Sequence, residues 1–113
     1  TKMAQYYFLA RVRVDVNRYK SGEELMDRWL AEAEAAEGAE SAGLIVTLWK
    51  DVSAPLVYGV LCVEGETAMK ASATLLETVM GLPMGQDGAL VFEDITEVRP
   101  YSEWREVLRE RRG

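Results

Sequence analysis

The stretch "GLIVTLWKDVSAPLVYGVLCVE", Gly43–Glu64, decides the fold. Two runs rich in β-branched and aromatic residues flank the short turn Asp51–Pro55. A parallel pair of strands needs a crossover of roughly a dozen residues or more, so these two strands pair antiparallel.

Upstream, "QYYFLARVRVDV" (Gln5–Val16) alternates strictly. Tyr6, Phe8, Ala10, Val12, Val14 and Val16 fall on one face, with Tyr7, Leu9, Arg11, Arg13 and Asp15 on the other. This is the period of a half-buried strand. "SGEE" then opens a helix by a capping box, Ser21 capping and Glu24 reaching back. The helix is predicted to about Glu37, with Gly38 as its stop. Leu25, Trp29, Ala33 and Ala36 make its apolar stripe, while Glu23, Glu24, Glu32, Glu34 and Glu37 read as its wet side. Downstream, a second helix is predicted over Glu66–Met80, with Gly81 closing it and Pro83 preventing a restart. Gly88–Val98 reads as the fourth strand, and Ser102 caps a short tail helix carrying Trp104.

The order is strand, helix, strand, strand, helix, strand, tail helix. That is the ferredoxin-like βαββαβ arrangement, an α+β fold with one four-stranded antiparallel sheet and both helices on one face. Residues 1–113 form one domain, with a core over about 5–98 and the tail helix over about 101–112. The other sheet face is left bare, carrying Tyr7, Leu9 and, on one parity, Ile45 and Trp49. An exposed apolar face of this kind marks a partner surface. A second copy laid face to face covers it, closing two sheets into a shared dimeric α+β barrel that the tail helix helps to clasp. A homodimer or higher homo-oligomer is the expectation.

Composition narrows the function. With 49% hydrophobic and 28% charged residues, the chain has the make-up of a globular protein. Its net charge of −6, 19 acids against 13 bases, argues against a nucleic-acid partner. No apolar run approaches the ~20 residues of a membrane span, so no membrane partner is expected. Cys62, the one cysteine, reads as a buried small hydrophobe and points to a cytoplasmic setting. The chain has 0 histidines, which removes the usual general base, the histidine-dependent nucleophile pairs and the commonest zinc ligand. No metal-ligand spacing is present, and no cofactor is expected.

"GLPMGQDG", Gly81–Gly88, has the glycines of a phosphate loop but the wrong context. Phosphate loops run from strand to helix, where amide groups and the positive helix end meet the anion. This one leaves a helix and enters a strand. It reads either as a plain connector with Gly85 and Gly88 in tight turns, or as a pocket rim that places Met84 at the mouth.

The same segment resembles muconolactone isomerases, in which a Leu-Pro-Leu turn leads to a strand carrying Asp-Ile; here these are Leu82, Pro83, Asp94 and Ile95, with a longer insertion between. "FLARVRVDVN" (Phe8–Asn17) is similar to the family's Phe-Leu-Val-Arg-Met-Asp-Val-Asn opening, and "LWK" (Leu48–Lys50) stands where the family has Leu-Trp-Arg. The resemblance spans the first hundred or so residues in the same element order, the tail helix excepted. It implies the dimeric α+β barrel superfamily, rings built from such dimers, and cofactor-free proton shifts. The family pattern has a histidine beside Leu-Trp-Arg and another near its C-terminus. In this chain Val46 and Thr47 occupy the region of the first.

Candidate site residues follow from the polar strand faces. Arg11 and Arg13 form a natural clamp for a substrate carboxylate, being two residues, about 7 Å, apart on one face. Exposed or acid-paired arginines are the plainer account. Glu93 and Asp94 are adjacent on a strand and should point to opposite faces, so one of them lines a given pocket as proton shuttle. Tyr58 and Tyr7 are candidates to orient a substrate oxygen, and Trp49 to stack on a planar ligand. The expected function is a proton-shift isomerase acting on a small unsaturated lactone or carboxylate from aromatic-compound breakdown. A cofactor-free oxygenase on an aromatic substrate and a non-catalytic small-ligand-binding or structural oligomer are the alternatives.

Overall fold

The computed structural model describes residues 2–113. Strands β1 (Ala4–Val14), β2 (Ile45–Lys50), β3 (Leu56–Gly65) and β4 (Leu90–Val98) form one antiparallel sheet in the order β2-β3-β1-β4. Helices α1 (Gly22–Ser41) and α2 (Ala68–Met80), the short α3 (Pro83–Gln86) and the terminal α4 (Tyr101–Arg112) complete the chain. This is the ferredoxin-like α+β arrangement. Among the described residues no helix is long and apolar enough to cross a membrane.

The core lies on one side of the sheet. Phe8 and Ala10 of β1 and Leu61 and Val63 of β3 are buried there, against Ala36 of α1 and Ala71, Leu75 and Val79 of α2, while Val14 of β1 is buried in a second cluster with Tyr19, Met84 and Ala89. The strict alternation of β1 is therefore realised up to Val14. Val16, expected to continue the buried face, is exposed, because the chain leaves the sheet into a 3-10 turn at Val16–Arg18 capped by Asp15.

Several boundaries differ from the sequence reading. Ser21 caps α1 as expected, accepting from the Glu24 amide, but Gly38 does not stop the helix. The stop is Gly43, at φ 84. Its amide donates to Glu40 and that of Leu44 to Ala39, the paired bonds of a Schellman ending. Thr67 caps α2, accepting from the Lys70 amide. Pro83 does not prevent a restart. It sits in the first turn of α3, where its missing N–H has no helical partner to lose.

Two β-bulges set the open face. On β4 the register shifts between Arg11 and Val12, so that Arg11 faces Asp94 while Val12 faces Phe92, and Glu93 is the extra residue. Glu93 reaches both Arg11 and Arg13, so Glu93 and Asp94 share the open face rather than pointing to opposite faces. On β2 the shift lies between Ile45 and Thr47. Ile45 is consequently buried in the core, whereas Trp49, four positions on, stands opposite Tyr58 and is 69% exposed. Both bulges fall on edge strands, where the ladder is bound on one side only and tolerates an extra residue.

Candidate functional site

Between the sheet and the helices lies a cavity of about 410 Å³. Its floor is the buried sheet face, including Val12, Val57 and Phe92, and its walls are Trp29 and Ala36 of α1 with Val79 of α2. Leu82 and Met84 close one end. Met84 is fully buried and seals the cavity from within rather than standing at an open mouth. Predominantly apolar walls around a few polar groups are the usual make-up of a small-molecule site.

One carboxyl and one amine line this cavity, Glu32 and Lys50. Glu32 is not on the wet side of α1. Leu25, Trp29, Glu32 and Ala36 follow at helical spacings of four, three and four, which put Glu32 on the sheet-facing stripe. Its Oε1 accepts the Met84 amide hydrogen at 2.8 Å. Burial pushes the Glu32 carboxyl up from its ordinary value, against the Met84 amide and Arg28, which favour the charged form. The signal for Glu32 was thus present in the helical period. What hid it was the surrounding crowd of glutamates.

A strap holds α3 over the cavity. Arg28 Nε donates to Asp87 Oδ2 at 2.8 Å, and Arg28 Nη2 donates to Asp87 Oδ1 and the Pro83 carbonyl, each at 3.1 Å. The Tyr19 hydroxyl donates to the same Asp87 Oδ2 at 2.8 Å. The Arg28 fork holds Asp87 below the usual carboxylate range. Burial, helped by the Asp87 bond, pushes Tyr19 up to about 12. None of these three groups was singled out from the sequence, since each becomes meaningful only through a partner some 60 residues away.

The sequence-derived candidates divide between two places. Met84 lines the cavity, and Trp49 borders it. Arg11, Arg13, Glu93, Asp94 and Tyr58 gather instead on the open sheet face, and the arginines already have a carboxylate: Glu93 lies 3.7 Å from Arg11 and 3.3 Å from Arg13. Asp94 accepts from Thr96, and the Tyr58 hydroxyl donates to Asp51. Tyr7 stands further along that face, beside a shallow apolar groove formed with Val46, Val60 and Val98. Cys62 faces Tyr7 there and is half-buried, not a core residue; its thiol is the largest cause that pushes the Tyr7 hydroxyl up. Among the described residues no cluster of carboxylates and cysteine could hold a metal ion.

A comparison with protein-family models gives no match, and a comparison with curated proteins gives none either.

Proposed function

We propose that this chain binds a small unsaturated lactone or carboxylate in the cavity and moves one of its protons with Glu32, as a cofactor-free isomerase of the muconolactone isomerase kind. The observation that carries the reading is the single carboxyl in an apolar cavity, its pKa raised by burial. A carboxylate tuned upward is a stronger base near neutral pH than an exposed one and still releases its proton, as a shuttle must. In this reading Glu32 removes a proton beside the substrate carbonyl and returns it to another carbon, while the Met84 amide fixes the carboxyl's orientation. The absent histidines are then no obstacle, because the same group acts as base and acid in turn.

The proposal extends to assembly. A second copy, meeting this one through the open face in a cytoplasmic setting, shelters Leu9, Val46 and Trp49, which are 44%, 54% and 69% exposed in the single chain.

Ultraviolet turnover of a muconolactone tests the chemistry. Wild-type turnover, its loss by about 100-fold or more in Glu32→Gln, and its retention in Asp94→Asn support Glu32 as the shuttle. Loss in Asp94→Asn alone moves the chemistry to the open face. Binding without turnover leaves a small-ligand-binding protein.

A further inference from the structure

We infer that Lys50 is an anion anchor at the cavity mouth, so that the ligand is a small planar acid or a ring compound whose oxygen becomes anionic. This rests on the reading of the cavity as the ligand site and adds the ligand's charge to it.

Lys50 is the last residue of β2 and lines the cavity. Its Nζ stands 5.3 Å from the centroid of the Trp29 ring, another wall of the same cavity. An ammonium has three donors. Two are taken by the backbone carbonyls of Asp51 and Ala54. Among the described residues the third has no acceptor and no carboxylate comes within ion-pair distance: the Asp51 side chain turns to Ser53 and Tyr58 instead. Glu32 lines the same cavity, yet its carboxyl bonds the Met84 amide and forms no ion pair with Lys50.

The two groups are thus held apart by their own backbone partners. Neither is the other's ion-pair partner, although Lys50, an exposed residue, and Glu32 both line the cavity. The carbonyls of the β2–β3 turn fix the ammonium over the indole, which costs a ligand little ordering on binding. A planar anion sliding along the Trp29 wall meets the remaining N–H at its charged edge and the apolar floor with its ring. The cationic clamp expected from Arg11 and Arg13 is in this way supplied by Lys50, on the opposite face of the sheet.

Calorimetric titration with benzoate and with benzyl alcohol, two probes of one ring size differing in charge, tests the assignment. The wild type should bind benzoate about tenfold more tightly than benzyl alcohol, the scale of one charge-assisted hydrogen bond. Lys50→Met should abolish that preference while leaving benzyl alcohol affinity within about twofold, and Lys50→Arg should restore it. Equal affinity of the two probes in the wild type overturns the anchor and leaves the cavity as a neutral-ligand site. A preference that survives in Lys50→Met, or a Met variant that loses both probes alike, overturns it too. Binding of neither probe to the wild type removes the cavity reading and the anchor together.

Discussion

Glu32 shows how a single buried carboxyl links stability to pH. Its folded-state pKa lies above the ordinary value of 4.5 because burial disfavours the charge. Between those two values the folded chain binds more protons than the unfolded one, so stability falls as pH rises through the raised pKa. Glu32→Gln keeps an oxygen for the Met84 amide and removes the charge. Urea unfolding across the mildly acidic to neutral range should show the wild type losing stability with rising pH, a component missing from the Gln variant. A pH profile in the Gln variant parallel to that of the wild type would mean that the Glu32 charge is not linked to folding. Tyr19 gives the alkaline counterpart. With a folded pKa of about 12 against an ordinary 10.0, it contributes stability that is present below pH 10 and lost as pH rises through 12. Tyrosinate absorbance should show a late-ionising group that Tyr19→Phe removes, with about 1 kcal/mol of stability lost at neutral pH for the missing bond.

At the level of elements, α3 depends on one glycine. A Cβ on Gly85 would lie 2.4 Å from the Val79 carbonyl oxygen and 2.6 Å from Met80 Cα, both backbone atoms that cannot turn aside. Gly85→Ala should therefore cost about 1–3 kcal/mol by overpacking and weaken benzyl alcohol binding by lifting the strap from the cavity. Unchanged stability would show that α3 shifts freely. The glycine was visible in the sequence as turn-forming, but its close approach to α2 was not, because that depends on how two elements meet. The same distinction runs through the whole fold. Alternation placed β1 and its two faces, and the short Asp51–Pro55 turn fixed the antiparallel pair, since both signals are local. The bulges at Val46 and Glu93 are not local: two residues oppose one only by reference to a partner strand. Parity counted along β2 therefore kept Ile45 and Trp49 on one face, whichever it was, and parity along β4 separated Glu93 from Asp94. A pocket was one of two readings of the Gly81–Gly88 loop, the other being a plain connector. The cavity's carboxyl was not anticipated, because an acidic helix offers several glutamates and the helical period must be traced to tell which turns inward.

For the whole molecule, the sheet is covered on one side only, and α4 adds a second uncovered surface. Every residue of α4 is exposed, Trp104 at 50% and Leu108 at 44%. The chain measures 60 Å along its longest axis and has a radius of gyration of 16.1 Å, against about 13 Å for a compact domain of this length. A helix of 12 residues is marginal in water without a surface to lie on. The proposed pairing supplies one, since a second copy brings an apolar sheet face and a helix in need of cover at once. Sedimentation at micromolar concentration should then give a particle of about 25 kDa, twice the 12.7 kDa chain. Leu9, at the centre of the open face and 44% exposed in the single chain, provides the discriminating substitution. Leu9→Glu should leave the helical and strand content unchanged, because the side chain is outside the core, yet shift the sedimenting species to 12.7 kDa by burying a charge in the proposed interface. A wild type that already sediments as a single chain would leave the open face uncovered, and the cavity would then have to function on the monomer alone.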